Sequence, residues 1–249
     1  MKVSVITVCY NSEKHIACAI ESVINQTYNN IEYIIIDGGS KDNTINIVKS
    51  YGSKISKFIS EPDNGIYDAM NKGLMMATGD FLAILNSDDF YINNRVIEIV
   101  VNELTKQQTD SIYADLIYVD EHDSNKQVRY WKSNPFVNGS FFKGWHPAHP
   151  TFIVKNEIYE KFGYFNLNFR LAADFELMLR FLEKNQISTC YLPEAIIKMR
   201  LGGTTNKSVK NIINQNIECY HAFNENGLNA SIFYSLYRIV PKILQYFKK

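Results

Sequence analysis

The chain has 249 residues, 46% of them hydrophobic and 21% charged, which is enough apolar material for one large α/β domain or two small ones. Lys plus Arg and Asp plus Glu number 26 each, so the formal net charge is zero and the basic field that a general nucleic-acid binder needs is missing. Cys9, Cys18, Cys190 and Cys219 form no CxxC pair and read as free thiols of a reducing compartment, which excludes a zinc ribbon or a disulfide frame.

Val3 to Val8 is a β-branched run and a first strand, ended by Cys9-Tyr10-Asn11-Ser12. Ser12 is placed to cap a helix running to about Asn25, with Ile16, Ala19, Ile20, Val23 and Ile24 on one face. Ile31 to Ile36 is a second buried strand, followed by Asp37-Gly38-Gly39-Ser40. Asp42 caps a short helix through Val48, and Lys57 to Ser60 is a third strand. Strand–helix–strand alternation at this spacing predicts right-handed βαβ units and a parallel sheet. After the loop Glu61-Pro62-Asp63-Asn64-Gly65, apolar residues from Ile66 to Ala77 recur at helical spacing, and Gly79 is expected to close that helix.

Phe81 to Leu85 is a short apolar run that stops at Asn86-Ser87-Asp88-Asp89. Such a run reads as a buried parallel strand with its polar end at the carboxyl edge of the sheet, where open α/β folds hold ligands. Adjacent carboxylates repel unless a cation, a ligand or water offsets the charge. Hard oxygens there suit Mg²⁺ or Mn²⁺ carrying substrate phosphates. On this stretch alone, a turn followed by a helix N-cap explains the residues equally well.

A helix over Arg95 to Thr105 follows. Ile112 to Val119 and Gln127 to Trp131 alternate more and are joined by a polar turn, which predicts an antiparallel hairpin. Pro135 to Pro150 is a long loop rich in Gly, Phe, Trp and His. Thr151 to Val154 is a short strand, Asn156 caps a helix to Phe162, and Ala173 to Lys184 is a helix. Ile187 to Met199 is extended. Lys207 to Phe223 is expected to be helical, with Val209, Ile212, Ile213 and Ile217 inward.

Three strand ends converge on one crevice in this reading: Tyr10-Asn11, Asp37 to Ser40, and Asn86 to Asp89. A carboxylate such as Asp37 accepts the imide N–H of a uracil or a ribose hydroxyl. Neither GxGxxG nor GxxxxGK[ST] occurs, so phosphates are expected on a metal rather than in a Gly-rich cradle.

The segments VSVITVCYNSE, IEYIIIDGGSKDNT, DNGIYDAMNKGLMMATGDFLAILNSDD and FRLAADFELMLRF, in this order, resemble the family 2 inverting glycosyltransferases of the GT-A fold. GIYDAMNKG is similar to enzymes that build bacterial capsule, exopolysaccharide and O-antigen repeats. The resemblance covers residues 1–204 and implies a Rossmann-like, mostly parallel sheet with helices on both faces. It divides into a nucleotide-sugar half (1–107) and an acceptor half (108–204) with a small antiparallel extension; residues 205–249 would form a helical tail. It also implies a nucleoside-diphosphate-sugar donor, a UDP-sugar first of all, and a saccharide or lipid-linked saccharide acceptor. Thr7, Tyr10, Asn11, Asp37, Asn64, Lys72, Asn86, Ser87 and Asp88 would then contact the donor. Asp88 would hold the divalent metal, Mn²⁺ or Mg²⁺, with Asp89 as second ligand or support, and Asp174 falls where the family carries its catalytic base. Asn86 departs from the pattern, since many members have Asp there, and Met70 stands where many have Arg, leaving Lys72 as the substitute.

The mechanism stands without the family name. A departing nucleoside diphosphate develops negative charge that a divalent cation stabilises, and an attacking hydroxyl needs a carboxylate to take its proton. Asp174 lies in the first turn of a helix, where the dipole favours the ionised form, although an N-cap asks for the same residue in the same place. In the loop Gly139 to Thr151, His146 and His149 alone make a poor metal site, so the loop is read as the acceptor side, with Trp145 stacking sugar and His149 near the diphosphate.

Two other readings use the same crevice. A sugar-phosphate nucleotidyltransferase would want a Gly-rich loop with Arg and Lys where Tyr10-Asn11-Ser12-Glu13 stands, and a non-catalytic binding protein would not need Asp88, Asp89 and Asp174. Between Ser231 and Lys249 a narrow polar stripe (Ser235, Arg238, Lys242, Gln245, Lys249) opposes a wide apolar face. That pattern suits a helix in a membrane interface and equally a helix packed on the domain or in a homodimer. The N-terminal strand is too short in its apolar part for a signal peptide, and no run reaches ~18 uncharged apolar residues. The expected location is therefore cytoplasmic, with peripheral contact at the inner face of the membrane left open.

Overall fold

In the computed structural model, which describes residues 1–202, 209–231 and 234, the β-branched run at the start forms β1 (Val3–Cys9) at the centre of a parallel sheet. β1 pairs in parallel with β2 (Ile31–Asp37) on one side and β4 (Phe81–Ile84) on the other, and β3 (Lys57–Ser60) extends the sheet beyond β2. Both faces of β1 and β2 are covered, which is why these strands are apolar without alternation. Ile6, Val8, Ile34 and Ile36 enter one core; Val3, Val5, Tyr33 and Ile35 enter the other.

Helices α1 (Ile16–Ile24) and α4 (Val96–Gln107) lie on the second face. Helix α3 (Ile66–Met76) lies on the first, and α2 (Thr44–Ser50) connects β2 to β3. α3 comes unusually close to the sheet at Gly73, where an added Cβ would sit 2.4 Å from Ile6 Cγ2 and 3.3 Å from Ile36 Cγ1.

The second half of the chain continues the same sheet. β8 (Ile153–Lys155) pairs antiparallel with β4, and β6 (Ser111–Val119) pairs antiparallel with β8. β9 (Thr189–Arg200) runs parallel to β6 along its full length, with a bulge around Asp115. β7 (Gln127–Trp131) forms the expected hairpin with β6, and β5 (Phe90–Tyr91) pairs antiparallel with β9. The strand order is β3-β2-β1-β4-β8-β6-β9-β5, with β7 on β6. The long pairings are parallel and the antiparallel ones short, so the fold is the α/β, Rossmann-like GT-A arrangement with its antiparallel extension. Helices α5 (Asn156–Phe162) and α6 (Ala173–Met178) close the first face, and α7 (Val209–Glu225) packs on α6.

Four local expectations change. α1 begins at Ile16, not after Ser12: the Ser12 carbonyl accepts from the His15 and Ile16 N–H groups, while its hydroxyl faces Ser87 at 2.9 Å. α3 ends at Met76, and Gly79 instead donates its N–H to Ser4 Oγ at 2.9 Å. The helix from Ala173 widens into a π-helix over Leu179–Lys184, where the Arg180 guanidinium reaches the Gly163 and Tyr164 carbonyls. Ile212, Ile213 and Ile217 of α7 are exposed; the helix buries Cys219, Ala222 and Phe223. Ile212 shares a face with Cys219, but burial on that face starts only at Cys219, one turn before Phe223 meets the Phe142 and Phe175 rings. The side chain of Val209, the 204/205 boundary and most of the 231–249 segment lie outside the described residues.

Candidate functional site

The carboxyl ends of β1 and β2 open into a crevice lined by Tyr10, Gly38, Gly39, Lys41, Pro62 and Asp63, and β4 ends beside β1. At the end of β2 the Asp37 carboxylate is fully buried and organises the turn that follows. Its Oδ2 accepts from Gly39 N at 3.1 Å, Ser40 N at 3.0 Å and Ser60 Oγ at 2.7 Å. Its Oδ1 accepts from the Ser40 hydroxyl and, at 3.6 Å, from Cys9 Sγ. Burial, and then the Asp37 charge, push the Cys9 thiol up, so it stays a donor. At the end of β1 the backbone turns into the left-handed region at Asn11 (φ 49°), whose side-chain oxygen accepts from Lys41 N at 2.8 Å. Tyr10 is left 61% exposed at the mouth.

At the end of β4, Asp88 is half-buried and its carboxylate has no hydrogen-bond partner among the described residues. Asp89 points the other way. It is 1% exposed, Oδ2 accepts from Asn86 Nδ2 at 3.2 Å, and burial followed by the Asp88 charge pushes its carboxyl well above the usual range. Asn86 Oδ1 and Asp89 Oδ1 are buried without a partner. Ser87 Oγ meets Ser12 Oγ, tying this turn to the end of β1. Beyond it, the Arg200 guanidinium lies over the Phe90 ring at 4.7 Å and donates to His15 Nδ1 at 3.3 Å.

Asp174 starts α6. Its Oδ1 accepts from Tyr67 OH at 3.1 Å, and its Oδ2 lies 3.1 Å from His149 Nδ1. Burial, and then the Asp174 charge, push the Tyr67 hydroxyl far up, so it is a fixed donor. Tyr67 is in the first turn of α3, one turn after the loop that overhangs β2. The same helix therefore follows the loop beside the crevice and orients the Asp174 carboxylate.

These geometries sort the residues expected at the site. Tyr10 lines the crevice at the ends of β1 and β2, Asn11 and Ser87 hold the turns that end β1 and β4, Asp88 is half-buried, and His149 meets Asp174. Thr7 does not reach it: its side chain is fully buried and accepts from Tyr33 OH at 3.1 Å. Asp37 supports the turn rather than presenting a free carboxylate. Asn64 is exposed on the loop, its N–H on Asp68 Oδ2 at 2.9 Å. Lys72 is drawn to Glu61 (2.9 Å) and the Pro62 carbonyl (3.1 Å), and Met70 is buried. Trp145 is half-buried with Phe136 stacked on it at 6.3 Å and Tyr113 edge-on at 6.1 Å, so one ring face is already covered. His146 packs between Trp131 and Phe175, away from the His149–Asp174 pair. Asp89 fits the supporting position and not that of a ligand open to the crevice. Tyr67 stands within GIYDAMNKG, and its spacing carries no sign that it reaches a residue 107 positions away.

Among the described residues, no cluster of three His, Cys, Asp or Glu side chains is arranged to hold a metal ion. A lone outward carboxylate suits a cation bound largely through substrate phosphates and water, as Mg²⁺ and Mn²⁺ are when they arrive with a nucleotide. No helix among the described residues is long and apolar enough to cross a membrane.

The fold is a mostly parallel α/β sheet with a carboxylate-bearing turn after its fourth strand and a second carboxylate at the start of a helix. The sequence profile of "Glycosyl transferase family 2" matches residues 4–170, and the chain belongs to that family. It is 31% identical over 222 residues to an uncharacterised glycosyltransferase of Rickettsia typhi, covering 84% of this chain and 68% of that protein. It is 25% identical over 211 residues to a PGL/p-HBAD biosynthesis glycosyltransferase of Mycobacterium bovis, covering 83% and 80%. Among solved structures, Staphylococcus aureus TarS 1–349 in complex with UDP-GlcNAc superposes with a TM-score of 0.73 at 20% identity, covering 95% of this chain and 69% of that one. The mannosyltransferase PcManGT of Pyrobaculum calidifontis, in complex with GDP-Man and Mn²⁺, gives 0.65 at 15% identity, covering 92% and 65%. The chain is therefore a family 2 glycosyltransferase.

Proposed function

We propose that this protein is an inverting glycosyltransferase that moves a sugar from a nucleoside-diphosphate donor, a UDP-sugar, to a hydroxyl of a saccharide or lipid-linked saccharide. The observation that carries this is Asp174, at the start of α6, held at both oxygens by Tyr67 and His149. The diphosphate lies along the strand ends, between Asn11, Ser87 and Asp88. Asp88 would hold a divalent cation together with the donor's phosphates, and that cation would supply charge stabilisation to the leaving diphosphate. The acceptor hydroxyl attacks the anomeric carbon on the face opposite the diphosphate. As the new C–O bond forms and the old one breaks, the hydroxyl proton passes to Asp174 and the nucleoside diphosphate departs. Two fixed partners set the direction of the carboxylate and leave each oxygen a lone pair to receive that proton.

Support for the donor comes from the fold neighbours bound to UDP-GlcNAc and GDP-Man, and for a saccharide or lipid-linked saccharide acceptor from the likeness of GIYDAMNKG to enzymes that build bacterial polysaccharide repeats. The test is a screen of UDP-sugars against mono- and oligosaccharide acceptors with Mn²⁺ or Mg²⁺, using the protein and its Asp174→Asn variant. Transfer is expected from the first only, with a loss of roughly 10²–10⁴-fold in the second and UDP binding retained in both. Near-normal turnover by Asp174→Asn removes the base from Asp174. Release of pyrophosphate from UTP plus a sugar phosphate makes the protein a nucleotidyltransferase instead.

A further inference from the structure

A donor with a nucleobase needs a group that reads the base, and Asp37, the natural choice from sequence, is spent. Both of its oxygens are taken by donors within the protein, and it is fully buried. The neighbouring cavity, about 420 Å³, is lined by Tyr10, Gly38, Gly39, Lys41, Pro62 and Asp63. Its position at the ends of β1 and β2 is where the base of a nucleotide would rest if the diphosphate runs towards Asp88.

One carboxylate oxygen enters this cavity. Asp63 Oδ1 is fixed by the Gly65 N–H at 2.8 Å. Asp63 Oδ2 lies over Gly38: a Cβ built on that glycine would be 2.3 Å from Oδ2, with the Tyr10 ring edge 3.5 Å away. Gly38 thus leaves the space that the Asp63 oxygen occupies, beside an aromatic ring that is 61% exposed. A flat ring laid against Tyr10 would gain stacking area, and its edge would meet one acceptor oxygen.

We propose that Asp63 is the base-reading residue of the donor site, accepting the N3–H of a uracil through Oδ2. This rests on the nucleotide-sugar reading above. Uracil presents one imide donor at the middle of its pairing edge. Cytosine and adenine present a ring-nitrogen acceptor there, which a carboxylate repels, and leaving such a pair unmatched is the stronger source of discrimination. Guanine presents two adjacent donors that suit a carboxylate with both oxygens free, whereas Oδ1 of Asp63 is already engaged by Gly65.

The experiment is titration of UDP, CDP and GDP, each with Mn²⁺, into the full chain and into Asp63→Asn. The amide can keep its oxygen on the Gly65 N–H and place its NH₂ group where Oδ2 stands, turning an acceptor into a donor that matches cytosine N3. The unsubstituted protein should prefer UDP over CDP and GDP. Asp63→Asn should lose about tenfold for UDP and gain for CDP, so that the UDP/CDP preference collapses or inverts. A circular-dichroism melt serves as the folding check. Gly38→Ala, whose Cβ displaces the Asp63 oxygen, should weaken UDP with no gain for CDP. An unchanged UDP/CDP ratio in Asp63→Asn overturns the role of Asp63 while leaving the donor reading intact. A preference for CDP or GDP in the unsubstituted protein overturns uracil recognition, and no binding of any of the three overturns the donor reading and this inference together.

Discussion

The hydroxyl of Tyr67 donates to Oδ1 of Asp174 at 3.1 Å, joining the first turn of α3 to the first turn of α6. With His149 on the other oxygen, this bond decides which way the carboxylate faces. Tyr67→Phe keeps the ring, which lies 5.3 Å from Phe165, and removes only the donor. Turnover is expected to fall about tenfold while UDP affinity stays within about twofold, because the lost interaction orients the base and does not touch the donor. Steady-state kinetics beside UDP titration checks this; equal losses in both would assign Tyr67 to donor binding.

Asp88 is the outward carboxylate of the turn after β4, and Asp89 is buried beneath it. Asp88→Ala should abolish the gain in UDP affinity that Mn²⁺ gives, a drop of about tenfold or more when the cation is present. Titrations with Mn²⁺ and with a chelator measure it. A Mn²⁺ enhancement that survives the substitution means that the cation is held elsewhere.

The loop that begins at Gly139 is anchored by the buried Glu183 carboxylate. Glu183 is 5% exposed and accepts from Gly139 N at 2.8 Å and Phe141 N at 3.0 Å. Glu183 Oε1 lies 3.0 Å from both N–H groups, so Glu183→Gln can keep its amide oxygen there, but it loses the charge and turns an NH₂ group towards Gly139 N, which should cost about 1–3 kcal/mol. For a chain of this size that lowers the unfolding midpoint by roughly 2–4 °C per kcal/mol. A calorimetric scan with no shift would show that the loop is held by its aromatic cluster alone.

Glu32, 6% exposed between β1 and β3, ties the two to the turn before β4. It accepts from Ser4 Oγ (2.6 Å) and Thr78 N (2.8 Å) and pairs with Lys57 (3.1 Å). Burial alone would push its carboxyl up; the hydrogen bonds from Ser4, Thr78 and Lys57 outweigh that and carry it down to about 2, from 4.5. Because the folded value lies below the unfolded one, the stabilisation is complete above about 4.5 and is lost as pH falls towards about 2. The stability difference between the protein and Glu32→Gln should therefore be constant near neutrality and shrink across that window in urea titrations. A difference independent of pH would remove Glu32 from the acid limb.

Strand runs were legible because both faces of the sheet are buried: VSVITVC and IEYIIID leave no alternation, and their polar ends mark the crevice. The hairpin of β6 and β7 was legible from alternation and a polar turn. Helix faces were less so. Ile212, Ile213 and Ile217 have the spacing of a buried stripe, yet burial depends on what lies opposite, and it begins only at Cys219, ahead of the ring cluster around Phe223. The site showed the same division. A carboxylate at a strand end could be named, but not whether its oxygens face inward, as Asp37 and Asp89 do, or outward, as Asp88 does.

By itself the sequence determined the fold class, the order of the strand ends and the residue types gathered there, since periodicity and turn chemistry are local properties written along the chain. Only the tertiary structure decided which carboxylates are spent and which are free. Asp37 is consumed by Gly39, Ser40 and Ser60, Asp63 is brought over Gly38, and Tyr67 meets Asp174, because hydrogen-bond partners are assigned by three-dimensional proximity and each oxygen has few lone pairs to give.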